Sequence, residues 1–269
     1  MYGALPAGFD AASGLCSRTG VYNAPTLANW SAVEDYAPGA GTFKTAEGTF
    51  IDPFWHAACA HASAQSIWAG LGGDSKYTSS TRLDQAGVDT NQSGLNNSQP
   101  FFEYVNQDPS TGVLTGVPEQ DFTSWYVQTG DTVHVYVNYS SSNGGTLTFR
   151  VTDGTHSTPV VVTGKSGFYD GYTAETANER PMAPVTDLNK VNGSWYYLRQ
   201  GSQPNGPNNY TDWTKMMANG FTMTGATYAH RYINMQFQKA NGDFDTLLAN
   251  PTAVSSSANT YSDKWDSCS

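Results

Sequence analysis

Hydrophobic and polar residues alternate through the middle of the chain, and this pattern predicts β-strands. In the segment 132–139, valines alternate with polar or aromatic residues, which is the period of two expected of a half-buried strand. The segment 146–151 repeats the pattern, and the Ser- and Gly-rich run 141–145 between the two is typical of a hairpin turn. A further strand is predicted at 159–163, so we expect an antiparallel meander here.

Helical periodicity is weak, and only 212–218 or part of 57–68 has a pattern that would suit one or two helical turns. Short strands joined by Gly-rich turns are typical of an all-β sandwich or barrel. The sequence has no convincing linker, so we expect a single domain over residues 1–269. Within it, residues 1–27 are interpreted as an N-terminal extension and residues 192–220, rich in Asn, Gly, Pro and Tyr, as a long loop.

Charged residues make up only 13% of the chain, about half of the roughly 25% that is usual in globular proteins. The formal net charge is −10 and the sequence pI about 4.7, which argues against nucleic acid or an anionic membrane as a partner. With 13 Lys and Arg and 5 His, self-repulsion in acid stays moderate, so we expect tolerance of low pH. The sequence has no apolar run of about 18 residues, and no membrane span is predicted.

Three cysteines, Cys16, Cys59 and Cys268, allow at most one intramolecular disulfide. A bridge between Cys16 and Cys268 could join the two ends of the chain. Cys59 lies between His56 and His61, but their spacing matches no familiar zinc pattern and no fourth ligand is apparent. We therefore expect no metal and no other cofactor. Cys59 is also a poor candidate nucleophile, because a thiol is scarcely ionised in acid.

A carboxamide and several carboxylates recur on the faces of predicted strands. Strand periodicity places Gln85 and Asp89 on one face, and it places Glu175 and Glu179 on one face of a later strand. Glu103 lies on the face opposite to its immediate aromatic neighbours. Each residue alone is typical of a solvated strand position. Together they could converge on one polar sheet face.

These residues stand in motifs that resemble those of the glutamic peptidases, also called eqolisins. The order and rough spacing of the motifs both fit, over roughly residues 28 to 190 and 221 to 265. The Gly-Gly after Trp68 and the Arg-Pro after Glu179 favour the bacterial branch. In chain order the motifs are Asn29-Trp30-Ser31-Ala32, Gly48 to Pro53, Trp68 to Gly73, Gln85 to Asp89, the segment around Glu103, Ala174 to Pro181, and Gly242 to Ala249.

The resemblance implies an antiparallel two-sheet sandwich, a jelly roll like concanavalin and the legume lectins. It also implies a secreted, acid-acting endopeptidase that takes protein or peptide substrates and resists pepstatin-type inhibitors. The sequence does not determine the oligomeric state, and a monomer is taken as the default. Gln85 and Glu179 match the catalytic dyad, with Glu179 activating water as general base and then acid, and Gln85 stabilising the oxyanion. A base that works in acid must stay ionised, so hydrogen bonds or a local field are expected to lower the pKa of Glu179.

Four further residues take supporting roles by the same resemblance. Trp68 is expected to line the substrate cleft, and Asp89, Glu103 and Glu175 are expected to support the dyad. The chain departs from the family pattern before Glu179, where Ala-Glu-Thr-Ala-Asn-Glu replaces Ala-Glu-Trp-Ile-Val-Glu, and it has fewer tryptophans around Glu103. These departures leave the cleavage preference and the shape of the cleft open.

Two other functions remain open from the residues. A glycoside hydrolase could use Glu175 and Glu179 on a sandwich face flanked by tryptophans. A non-catalytic carbohydrate-binding module would use the abundant Trp, Tyr and Asn. The glycoside hydrolase would assign no role to the run Gln85 to Asp89. A serine triad is not expected, because no Gly-x-Ser-x-Gly motif is present in the sequence.

Overall fold

The computed structural model describes residues 26–27, 29–56, 63–74, 81–90, 97–108, 113–122, 125–157, 159–179, 197–198, 200–202, 210–238, 244–255 and 257–265. Regular structure in these residues is almost entirely β-strand, with short 3-10 turns at Ser142–Gly144 and Ser166–Phe168. None of the described segments forms a helix long and apolar enough to cross a membrane. The strands are β1 (Thr26–Leu27), β2 (Trp30–Tyr36), β3 (Thr45–Ile51), β4 (Phe54–His56), β5 (Ser63–Ala64), β6 (Ser66–Gly72), β7 (Arg82–Thr90), β8 (Asn97–Gln107), β9 (Leu114–Asp121), β10 (Val127–Gln128), β11 (Thr132–Ser140), β12 (Thr146–Thr152), β13 (Val160–Thr163), β14 (Thr173–Glu179), β15 (Tyr197–Leu198), β16 (Gln200–Ser202), β17 (Tyr210–Ala218), β18 (Phe221–Thr222), β19 (Ala229–Gln238), β20 (Phe244–Ser255) and β21 (Thr260–Trp265).

Antiparallel pairing arranges most of these strands in two large sheets, while β4 with β16 and β5 with β15 form separate two-stranded sheets. The first, called the site sheet below, has the order β9-β8-β7-β6-β14-β2-β19. The second, the back sheet, has the order β13-β12-β11-β3-β17-β21-β20-β19. Strand β19 belongs to both, because residues 229–233 pair with β2 and residues 235–238 pair with β20. The predicted all-β antiparallel sandwich is confirmed, while its jelly-roll connectivity stays a prediction.

The hydrophobic core lies between the inner faces of the two sheets. Phe149 of β12 packs against Phe102 and Tyr104 of β8, with ring centroids 5.4 and 6.2 Å apart. The alternation that predicted the meander has a direct structural cause, since every second residue of β11 and β12 points into this core. The predicted hairpin is present, with β11 and β12 joined by the turn Ser142–Gly144 and β12 paired with β13.

The segment 192–220 is not the continuous loop expected from its composition. Its last part forms β17, which pairs with β3 and β21, and Trp213 in this strand is fully buried. The helical turn considered for 212–218 is therefore wrong. A register shift between Thr214 and Met217 interrupts the strand pairing, and Lys215 has a φ of +52°. This bulge breaks the alternation by which the strand would have been recognised.

The predictions for the chain's first residues and for its cysteines fall largely outside the described residues. Of the segment 1–27, only Thr26–Leu27 is described, as the short strand β1 that runs parallel to β19. Cys16, Cys59 and Cys268 lie outside the described residues, so the proposed disulfide stays a prediction.

Truncation of Phe149 tests the contact between the two sheets. Phe149→Ala removes a fully buried ring, so we expect the free energy of unfolding to fall by about 3–5 kcal/mol. Chemical denaturation measures the change. The control is Val161→Ala, because this side chain is 55% exposed and should change stability by no more than about 0.5 kcal/mol. A similar loss in both variants would contradict this account of the core.

Candidate active site

The outer face of the site sheet carries the predicted site residues. Gln85 on β7 pairs with Gly70 on β6 and with Glu103 on β8. Glu179, at the end of β14, pairs with Ser66 on β6. Around these polar residues, the outer face holds its own buried hydrophobic cluster, separate from the core between the sheets: Trp30, Ala32, Trp68, Leu83, Phe101, Val105, Ala177 and Ile233.

Gln85 is fully buried and is held by Glu103. Its Nε2 donates a hydrogen bond of 2.5 Å to Oε2 of Glu103. Burial raises the pKa of Glu103 to about 7, although the hydrogen bond from Gln85 favours the carboxylate. The other amide atom of Gln85, Oε1, is buried and has no hydrogen-bond partner among the described residues. Gln85 thus has a fixed orientation with one acceptor still available.

Glu179 is also fully buried, and two donors hold its carboxyl group. Nε1 of Trp68 donates to Oε2 at 2.8 Å, and Nδ2 of Asn29 donates to Oε1 at 3.4 Å. Burial, followed by the charge of Glu103, raises the pKa of Glu179 to about 8, against the effect of the two donors. The expectation of a lowered pKa is therefore wrong for this buried arrangement, because the desolvation of the carboxylate outweighs its hydrogen bonds.

Asp89 and Glu175 lie on the same face but contact other residues. Asp89 accepts a hydrogen bond of 3.1 Å from Ser66, and burial raises its pKa to about 7. Glu175 is fully buried beside Glu34, which is its cross-strand neighbour on β2. Burial is the main cause of the raised pKa of Glu175. The structure thus groups Glu175 with a second set of charged residues on this face.

This second set is centred on Arg231 of β19. Its Nη2 forms ion pairs with Glu34 and with Asp74, the latter at 2.6 Å. Both carboxylates are fully buried, as is Glu175 beside them. Burial and the charge of Asp74 raise the pKa of Glu34. One guanidinium cannot neutralise three buried carboxylates, so this set retains protons at a pH where free carboxyl groups would have lost them.

Glu119 is a further, half-buried residue near Glu103 that sequence reasoning missed. The pairing of β8 with β9 shifts register between Phe102 and Tyr104, so a β-bulge lies opposite Glu103 and contains Glu119. Its Oε2 is buried without a hydrogen-bond partner in the described segments. Burial raises its pKa, and so does the nearby charge of Asp89. Pro118 beside it is a sequence signal that could have marked this bulge, because proline within a strand is confined to edges and bulges.

The other missed residues come from distant parts of the sequence. Asn29 stands in the Asn29-Trp30-Ser31-Ala32 motif, which could have suggested a role. Asp74 and Arg231 are 157 positions apart, and only the folded sheet brings them together.

Within the described residues, no group of three or more His, Cys, Asp or Glu is arranged to hold a metal ion. The candidate ligands Cys59 and His61 lie outside that part of the chain.

Comparisons with known proteins agree with this fold. The sequence profile of the Peptidase A4 family matches residues 28–237. The chain is similar to the structure of scytalido-glutamic peptidase with a transition state analog inhibitor, with a TM-score of 0.59 and 15% sequence identity, over 89% of this chain and 98% of that chain. It is also similar to SCP-B, a member of the eqolisin family in complex with the tripeptide Ala-Ile-His, with a TM-score of 0.55 and 16% identity over 89% and 98% of the two chains. Curated protein sequences give no significant match.

The all-β sandwich and the profile match together define a peptidase. The profile covers most of the chain, which therefore belongs to the Peptidase A4 family, the glutamic peptidases or eqolisins. The protein is a glutamic endopeptidase, a hydrolase of peptide bonds. The family assignment made from the sequence motifs is confirmed.

The buried carboxyl groups predict that stability depends on pH in an unusual direction. Four of them have raised pKa values of about 7 or 8 in the folded protein: Asp35, Asp89, Glu103 and Glu179. Between about pH 4 and these values, the folded protein keeps protons that the unfolded chain releases, so stability is lost as pH rises through this range. One pKa unit corresponds to about 1.4 kcal/mol, so we expect the melting temperature at about pH 8 to lie at least several degrees below that at about pH 4.

Thermal melting at a series of pH values measures this dependence. Asp35→Asn removes one of the titrating groups without touching the dyad and should flatten the dependence. Glu47→Gln is the matched control, because Glu47 is only partly buried, where it pairs with His134 at the surface. A melting temperature that rises from about pH 4 to about pH 8 would contradict the interpretation.

Proposed function

We propose that Gln85 and Glu179 form the catalytic dyad of this endopeptidase and that the enzyme acts in acid. One observation carries the proposal: the two polar groups occupy the same buried sheet face, and each is oriented by its own partner. Glu103 fixes the amide of Gln85, and Trp68 fixes the carboxyl of Glu179. Preorganised polar groups in a site shielded from water are what transition-state stabilisation requires.

In the proposed reaction, Glu179 first accepts a proton and then donates it, while Gln85 provides hydrogen bonds. The Glu179 carboxylate takes a proton from water as that water attacks the scissile carbonyl carbon, and Glu179 then returns the proton to the leaving amine as the C–N bond breaks. Gln85 uses one N–H of Nε2 on Glu103, which leaves the second for the developing oxyanion. Its Oε1 is the acceptor available to orient the attacking water.

The base form of Glu179 depends on the balance between burial and hydrogen bonding. Burial is the largest cause of its raised pKa, and the donors Trp68 and Asn29 favour the carboxylate. When substrate and water enter the site, water solvates the Glu179 carboxylate, so the free-energy cost of burying its charge falls. The hydrogen bonds from Trp68 and Asn29 stay in place. We therefore infer that Glu179 ionises when the site is hydrated, at a pH set mainly by its hydrogen bonds.

Two carboxyl groups on the same sheet face as Gln85 support the proposal of acid action. Burial raises the pKa values of Glu103 and Asp89 to about 7. Above that pH their negative charges disfavour an oxyanion next to Gln85, so activity should decline. We further propose that the enzyme is secreted, since its sparse charge suits an acidic medium outside the cell.

The geometry does not favour the glycoside hydrolase alternative. In a glycosidase the two catalytic carboxyl groups act on the same glycosidic bond. Glu175 and Glu179 instead have different partners. Glu175 is grouped with Glu34, Asp74 and Arg231, while Glu179 is held by Trp68.

Substitution of the dyad tests the proposal directly. We expect Glu179→Gln to lower kcat by roughly 10²–10⁴-fold, because it removes the general base and acid. We expect Gln85→Ala to lower it by roughly 10²–10³-fold, because it removes an oxyanion donor. The assay is peptide release from denatured protein at about pH 4, and wild-type activity should persist with a pepstatin-type inhibitor, which targets paired aspartates.

Two conservative controls separate chemistry from folding. Glu47→Gln makes the same chemical change on the back sheet, and Gln128→Ala removes an exposed carboxamide. Both should keep wild-type activity, and circular dichroism should show the same fold for all four variants. Full activity in both Glu179→Gln and Gln85→Ala would refute the dyad.

Trp68→Phe tests how the ionisation of Glu179 is controlled. The substitution removes a donor that favours the carboxylate, so the pKa of Glu179 should rise and the acid limb of the pH–activity profile should move to higher pH. A hydrogen bond to a charged group contributes about 1.5–3 kcal/mol, which corresponds to a shift of about one pH unit or more. Trp213→Phe, a similar loss of volume in the core, should lower stability and leave the acid limb in place. An unmoved acid limb in Trp68→Phe would contradict the proposal.

A further inference from the structure

Gly70 occupies a position where the site sheet has no room for a side chain. It lies on β6 between its cross-strand neighbours, Gln85 on β7 and Glu175 on β14. A Cβ atom at this position would lie 2.9 Å from Cζ3 of Trp68, 3.2 Å from Cε3 of the same ring and 3.2 Å from Oε1 of Glu175. Carbon atoms in packed interiors do not approach so closely. The indole of Trp68 therefore fills the space that a larger residue would need.

Further contacts restrict the position of the Trp68 side chain. The ring of Trp30 lies 5.4 Å away between centroids. A Cβ atom at Gly87, the cross-strand neighbour of Trp68, would lie 2.6 Å from Cβ of Trp68. At the opposite end, Nε1 donates to Glu179 at 2.8 Å. The ring is planar and rigid, so a displacement at Cζ3 also moves Nε1.

We propose that Gly70 is a positioning residue of the catalytic site, which acts through Trp68 on Glu179. The absent side chain allows the ring to lie over β6 at the angle that directs Nε1 to the Glu179 carboxyl. Oε1 of Glu175 lies 3.2 Å from the same Cβ position, so an added methyl group also meets a tight contact on the β14 side. The inference rests on the proposed role of Glu179 as the base.

Gly70→Ala is expected to reproduce the effect of Trp68→Phe. The methyl group displaces the indole, weakens the hydrogen bond to Glu179 and moves the acid limb of the kcat profile to higher pH by about one unit. Combining Gly70→Ala with Trp68→Phe should give the acid limb of Trp68→Phe alone, because the donor through which Gly70 acts is already absent. Glu103 is the titratable group whose charge raises the pKa of Glu179, and it is unchanged in all of these variants.

The back sheet offers a closely matched control. A Cβ atom at Gly48 would lie 2.6 Å from Cζ3 and 2.8 Å from Cε3 of Trp213, so Gly48→Ala creates the same kind of clash with a buried indole. Trp213 lies in the core between the sheets, away from Glu179. Gly48→Ala should therefore lower the melting temperature and leave the acid limb unmoved.

The outcomes separate this inference from the proposed function. An unmoved acid limb in folded Gly70→Ala, or a further shift in the double variant, overturns the role of Gly70. If Gly70→Ala does not fold, recovery of folding by the smaller ring in the double variant supports the role, and no recovery overturns it. Activity that survives Gln85→Ala and Glu179→Gln refutes the dyad itself. Inactive dyad variants with an unmoved acid limb in Gly70→Ala refute only the positioning role.

Discussion

The candidate active site depends on the pairing register of neighbouring strands in the site sheet. Side chains alternate between the two faces, so a slip of β7 by one residue would place Ala86 where Gln85 now lies. The core prevents such a slip, because Ala86 and Val88 are fully buried among the residues between the sheets. Hydrophobic packing on the inner face thus fixes the polar chemistry on the outer face. The same register brings Glu103 beside Gln85.

Burial and hydrogen bonding act in opposite directions on the carboxyl groups of the outer face. Removal from water favours the neutral acid, whereas the donors Trp68 and Asn29 favour ionised Glu179. Around Arg231 the same conflict involves several carboxyl groups and one guanidinium. In acid, protonation of the carboxyl groups around Arg231 relieves this conflict. Glu179 differs, because it must lose its proton in the hydrated site to act as the proposed base.

The sequence predicts best those parts of the fold that have one buried and one solvated face. β11 and β12 alternate clearly for this reason, and their hairpin follows from its Gly-rich turn. β6 and β14 are buried on both faces, so periodicity alone says little about them, and the motifs around Trp68 and Glu179 were needed. The bulge in β17 brings Trp213 and Met216 to the core with a spacing of three residues, which is why that strand resembled a helix. Within the site, alternation along β7 predicts that Gln85 and Asp89 share a face. The hydrogen-bond partner of each side chain depends instead on contacts across strands.

Strand β19 joins the two sheets along one side of the sandwich, and the sheets end in separate edge strands along the other side. Its two halves pair with β2 and β20, so the layers are continuous there. Among the described strands, β9 and β13 end the two sheets on the far side. Opening at β19 would break pairing in both layers at once, while opening at β9 or β13 breaks one ladder. Slow local fluctuations should therefore begin at the free margins. The layers stay joined at β19 until the whole fold is lost.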